Sequence, residues 1–137
     1  MSVGLRPGTV LRYPYLWHWQ DARGETEGRK ERPIAVAVVF LAREGQEYVL
    51  LLPLTTREPA TARVAVEIPD TEKRRAGLDR TLRQWLILDE YNLDPLQASY
   101  YLRGDTITGQ FSEAFIRPVL TRFRSLLPQS RRVSRYP

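Results

Sequence analysis

The chain has 137 residues, no cysteine, one histidine, and 21 lysines and arginines against 16 acids, for a net charge of +5. That is one domain's length, with room for one small core. A disulfide framework, a zinc–thiolate site and a multi-histidine metal site are excluded, and no cofactor is called for. The longest apolar run, 34–42, is too short to span a bilayer. No apolar leader opens the sequence. The expectation is therefore a cytoplasmic protein without a membrane partner.

Hydrophobic residues make up 42% of the chain and charged residues 27%, the balance of an ordinary globular domain. Lys30 and Lys73 are the two lysines; the other nineteen basic residues are arginines. A planar guanidinium suits phosphate recognition. A GC-rich coding sequence would raise the arginine content in the same way.

Thr9 to Tyr15 reads as a first strand, with Pro14 arguing for an edge or a bulge. Trp17 to Glu31 reads as a long polar loop, and long ordered loops are often functional. Pro33 opens the run Ile34–Leu41, whose β-branched content favours a strand buried on both faces. A turn at Glu44–Gln46 leads to the strand Tyr48–Thr55, so these two form an antiparallel hairpin. Arg63–Ile68 alternates, with Val64, Val66 and Ile68 inward and Arg63 and Glu67 outward.

Asp70 can cap a short helix through Ala76, stopped by Gly77. Trp85–Asp89 reads as another strand. The stretch 100–107 is ambiguous, with a short strand near Gly104 as one reading. Ser112 caps the one long helix, which ends near Leu127 before Pro128. Its inward arc is Phe115, Ile116, Val119, Leu120, Phe123, Leu126 and Leu127, with Arg117, Thr121 and Arg124 opposite. Pro118 should kink it. Residues 1–127 make a single domain, and 128–137 read as a basic, mobile tail. The fold class is mainly β with a C-terminal helix, in a small curled antiparallel sheet or partly open barrel.

Most catalytic templates fail. There is no Gly-rich phosphate loop, no metal-ligand spacing and no nucleophile elbow. Asp89 and Glu90 are neighbours on one strand, so they should point to opposite faces. Two places stand out. Gly28-Arg29-Lys30-Glu31-Arg32-Pro33 is a basic cluster leading into a buried strand. Pro53-Leu54-Thr55-Thr56-Arg57 ends an apolar strand in two hydroxyls and a cation. Antiparallel pairing brings Arg32 and Thr55 to one rim, with the register uncertain by a few residues. A guanidinium and a hydroxyl there can together hold a phosphoryl group. Threonines at strand ends also serve turns.

The order of these motifs resembles the MazF/PemK family of mRNA-cleaving toxins from bacterial toxin–antitoxin pairs. Pro7-Gly8-Thr9-Val10, Arg32-Pro33, Leu52-Pro53-Leu54-Thr55-Thr56, Val66-Glu67-Ile68-Pro69, Gly77-Leu78, Leu86-Ile87-Leu88-Asp89-Glu90 and the 107–112 stretch carry the likeness across 7–127. Trp17-His18-Trp19 and Arg29-Lys30-Glu31 look like a PemK-like branch. The resemblance implies an SH3-like barrel, a homodimer, and metal-independent cleavage of single-stranded RNA by its own 2′-hydroxyl. The products would be 2′,3′-cyclic phosphate and 5′-hydroxyl ends. A cognate antitoxin with an acidic C-terminal segment would compete for the same cations.

Carried over by position, Arg32 matches the family's catalytic arginine, and Thr55 its catalytic threonine or serine. Thr56 is the alternative if the register slips by one. An arginine is a poor general base, so His18, the only side chain titrating near neutrality, becomes a candidate assistant. Trp17 and Trp19 could stack unpaired bases. Arg29, Lys30, Arg57, Lys73, Arg74 and Arg75 could track the RNA backbone. The likeness departs at Glu90-Tyr91-Asn92, where family members often carry an arginine. Two other readings keep the fold: a non-catalytic RNA-binding or regulatory module, and a gyrase-poisoning toxin.

Overall fold

The computed structural model describes residues 4–28, 30–97, 99 and 101–135. Eight strands form one sheet. They are β1 (Thr9–Tyr13), β2 (Arg32–Leu41), β3 (Glu47–Thr55), β4 (Ala65–Glu67), β5 (Trp85–Ile87), β6 (Glu90–Pro95), β7 (Ile107–Gln110) and β8 (Arg131–Ser134). Three α-helices, α1 (His18–Ala22), α2 (Asp70–Arg75) and α3 (Glu113–Leu126), and a 3₁₀ turn at Gly104–Thr106 complete the chain. The sheet path runs β4-β5-β3-β2-β1-β7, with β6 on β3 and β8 on β6. Every pairing is antiparallel except β6 with β8, and β4 and β7 end the path without pairing to each other. The expected mainly β fold with a helix near the C-terminus is present, as an open sheet. Among the described residues, no helix is long and apolar enough to cross a membrane.

The central hairpin follows from its sequence. Two long apolar runs cannot both face water, so β2 and β3 pair and carry a core on each side. On one face Leu11, Ile34, Val36 and Leu51 pack with Tyr13 and Tyr15. On the other, Val10, Ala35, Leu52 and Leu54 meet Ile116, Leu120 and Phe123 of α3. Ser112 caps α3 by accepting from the Phe115 N–H at 3.2 Å. Ile116, Val119, Leu120 and Phe123 are buried, as the 3.6-residue period predicts, and the helix runs on through Pro118. The proline sits on the exposed side, where water can satisfy the carbonyl left without a donor.

Gly104 opens the 3₁₀ turn and not a strand, and Asp70 is the first residue of α2 and accepts from Arg80 at 2.7 Å instead of capping the helix, whose N-cap is Pro69. Three further segments differ from the sequence expectation. The loop 17–31 contains α1, whose Gln20 side chain reaches back to accept from the Trp17 N–H at 3.0 Å. The strand β6 went unread. Glu90, Asn92 and Asp94 fall on one face by the two-residue period, yet all are buried. Tyr13 donates to Asp94 at 2.6 Å, Tyr15 donates to Glu90 at 3.0 Å, and Asn92 bonds both the N–H and the carbonyl of Leu16. The 128–137 tail is built into the sheet over Arg131–Ser134, with Val133 fully buried. Arg135 then donates to the Pro14 carbonyl at 2.7 Å and lies over the Tyr13 ring.

Candidate functional site

The start of β2 and the end of β3 make one rim. Ile34 faces Pro53 in the antiparallel register, so two residues further along Arg32 stands opposite Thr55. Tyr13 faces Arg32 from β1, which puts Arg32 on the sheet face that carries Tyr13 and Tyr15. Its guanidinium lies over the Trp17 ring, 5.1 Å from the centroid. Arg32 is half-buried and, among the described residues, has no carboxylate partner. Its Nε is the one buried side-chain nitrogen or oxygen there without a hydrogen bond. Burial lowers its pKa from the ordinary arginine value, the signature of a charge desolvated without a counter-ion. The ring face offsets part of the hydration that the guanidinium loses on burial.

Beside it opens a cavity of about 350 Å³, bordered by Arg32, Arg12, Lys30, Thr56, Gln84 and Thr108, among others. Arg12 is the exposed residue of an otherwise buried β1 and faces Pro33 in register. The sequence reading passed over it. Its signal was the single charge in that strand, one step from Arg32 across the pair. Glu31 and Asp79 also border the cavity, so three cations stand against two carboxylates. Asp79 is turned toward Thr81, whose N–H and hydroxyl it accepts at 2.9 and 2.6 Å.

The two candidate hydroxyls divide. Thr55 shares Arg32's face, but its Oγ1 accepts from the Arg57 N–H at 3.1 Å and closes the turn. Thr56 is exposed and borders the cavity. Arg57 is exposed on the same turn. Trp17 is half-buried, edge-on to Tyr15, whereas Trp19 is exposed under Arg23. Arg29 lies outside the described residues.

His18 borders a different cavity, of about 310 Å³, with Trp19, Arg63, Asp89, Glu90 and Arg131. Its Nδ1 is 3.2 Å from the Arg131 guanidinium, and because arginine can only donate, that nitrogen is the acceptor. Its backbone N–H donates to Glu90 at 3.0 Å. The same cavity corrects the expectation for Asp89 and Glu90. The chain bends at Asp89 between β5 and β6, so strand alternation does not carry across, and both carboxylates reach one guanidinium. Arg63 holds Asp89 at 2.7 Å and Glu90 at 2.9 Å. Burial pushes the Asp89 carboxyl up, but the Arg63 bonds and the Val64 N–H outweigh it and hold it below the usual range.

The basic run on α2 also divides. Lys73 is buried, and its Nζ donates to the Leu82 carbonyl at 2.9 Å, so it fastens the 80–82 loop and does not face a backbone of phosphates. Arg74 and Arg75 are exposed. Compared with family models, curated proteins and solved structures, the chain matches none.

Proposed function

We propose that this chain is a toxin of the MazF/PemK type that binds single-stranded RNA at the Arg32 rim and cleaves it without a metal. The observation that carries the reading is Arg32 itself: a partly desolvated guanidinium, seated on Trp17, with no anion of its own and an open cavity beside it. A phosphodiester supplies the missing charge. Arg12 and Lys30 add cations at the same rim. The 2′-hydroxyl gives up its proton to solvent as its oxygen attacks the adjacent phosphorus, the bond to the 5′-oxygen breaks, and that oxygen takes up a proton from solvent. Arg32 stabilises the charge that gathers on the phosphoryl oxygens. Thr56 donates to the phosphate, and Thr55 holds the turn that presents it. The reading gives His18 no part in proton transfer, since it borders another cavity and already accepts from Arg131.

On this reading a partner protein with an acidic segment silences the enzyme by supplying carboxylates to Arg32, Arg12 and Lys30. The working form is a cytoplasmic homodimer. The test is incubation with a mixed-sequence single-stranded RNA in EDTA, for the wild type and for Arg32→Ala. The expected result is fragments with cyclic phosphate and 5′-hydroxyl ends, formed about a hundred- to a thousand-fold more slowly by the variant. Salt-sensitive binding with intact RNA would move the assignment to a non-catalytic RNA-binding module. No binding at all would return the gyrase-directed reading.

A further inference from the structure

The cavity at Arg32 is not the only basic one among the described residues. A second groove, about 790 Å³, runs along α3 from Glu113 to Arg124 and is bordered by Arg6, Arg75, Arg117 and Arg124, with Glu113 as the one acid on its wall. Four cations against one carboxylate is a greater imbalance than at the Arg32 cavity. The cations are also available. Arg124 is exposed and, among the described residues, has no ion-pair partner. Arg6 is exposed and makes one long hydrogen bond to Gln110, 3.4 Å. Arg75 stands 3.8 Å from Glu72, whose carboxylate already accepts from the N–H and the hydroxyl of Ser112. Arg117 pairs with Glu113 across one exposed helical turn, where solvent screens the attraction and leaves the pair weak.

The two grooves come near each other where the end of α2 meets β7. The end of α2 packs on β7, where the Thr108 hydroxyl donates to the Ala76 carbonyl at 2.8 Å. Gly77 and Thr108 border the Arg32 cavity, whereas Arg75 and Gln110, each two residues away on the same two segments, border the α3 groove. The two backbones pack closely at this seam. Gly77 has φ +70°, and a Cβ there would meet the Thr108 carbonyl oxygen at 2.5 Å.

We propose that a single RNA strand held at the Arg32 rim crosses the Gly77–Thr108 seam and continues in the α3 groove, with its phosphates on Arg6, Arg75, Arg117 and Arg124. This rests on the nucleic-acid reading above and adds a length requirement to it. The rim takes a few nucleotides, and the groove is engaged only by longer strands.

The experiment compares a 2′-O-methyl strand of four nucleotides with one of sixteen, neither of which can be cleaved, by fluorescence anisotropy across a salt series. The proteins are the wild type and the Arg6→Ala/Arg124→Ala double variant, both substitutions lying on the surface. The expected result is a loss of about ten-fold or more in affinity for the long strand. Its slope of log affinity against log salt should also fall by about 1.4, two phosphate contacts at about 0.7 each. Affinity for the short strand stays at the wild-type value. An unchanged long-strand affinity and slope would remove the groove from the RNA path while leaving the rim intact. Loss of binding to a poly-glutamate peptide, with RNA binding preserved, would assign the groove to an acidic protein segment instead and overturn the proposal. A wild type that binds neither strand would overturn the nucleic-acid reading together with the groove.

Discussion

Arg32 and Arg63 are both half-buried arginines on the margin of one sheet, and their surroundings are opposite. Arg63 is saturated: two carboxylates share its guanidinium, and their bonds raise its pKa above the ordinary value. Arg32 faces a tryptophan ring and an open cavity, and burial lowers its pKa. The difference lies in the partners and not in the arginine, so substitutions at the two positions should separate stability from function.

The largest expected effect is on folding. Arg63→Ala leaves Asp89 and the buried Glu90 without their counter-charge, so it should cost about 2–3 kcal/mol in urea unfolding, discounted from a fully buried pair because Arg63 is partly solvated. Arg32→Met removes a desolvated charge that no carboxylate among the described residues neutralises, so its stability should stay within about 1 kcal/mol of wild type, while the proposed RNA cleavage should slow about a hundred-fold or more. Equal destabilisation by both would erase the distinction between the two sites.

The pH dependence sharpens it. The folded-state pKa of Asp89 is depressed, so its contribution is fully present above its unfolded value of about 3.9 and is lost as pH falls through the folded value. Asp94 runs the other way: burial raises its pKa, and Tyr13 and Ser99 only partly offset that. Unfolding free energies at pH 3 and pH 6 should therefore show a smaller acid-induced drop for Arg63→Ala than for wild type. An identical drop in the two proteins would mean that the clamp does not hold Asp89 ionised.

The two threonines give the smallest effects. Thr55→Val should cost about 1 kcal/mol by opening the turn to the Arg57 N–H. Thr56→Val should leave stability alone and slow cleavage about ten-fold or more. The reverse pattern would make Thr55 the substrate donor.

Much of this contrast was legible in the sequence on one side only. The Arg32 rim could be read because β2 and β3 are unbroken apolar runs, and antiparallel pairing of such runs fixes which ends meet. The choice between Thr55 and Thr56 could not, since it depends on how the chain leaves the strand. The Arg63 cluster was invisible for a related reason. A bend at Asp89 breaks the alternation from which opposite faces were inferred. Beyond it, Glu90, Asn92 and Asp94 carry a polar pattern that looks like a solvent face. That face is buried because Tyr13, Tyr15 and the Leu16 backbone supply partners from 75 to 81 residues away in the fold's first strand and its continuation. Likewise β8 is held chiefly by backbone pairing with β6, to which the charge of Arg131 and Arg132 gives no clue. Lys73 shows the same limit in one residue: a lysine in a basic run reads as surface until the carbonyls that receive it are seen.

The most direct measurement is nitrogen-15 NMR of the arginine side chains during titration with an uncleavable single-stranded 2′-O-methyl oligonucleotide. The Arg32 guanidinium resonance should move to saturation with the strand while that of Arg63 stays in place. An Arg32 signal that remains fixed when the oligonucleotide is bound would contradict the claim that its missing counter-charge is a phosphate.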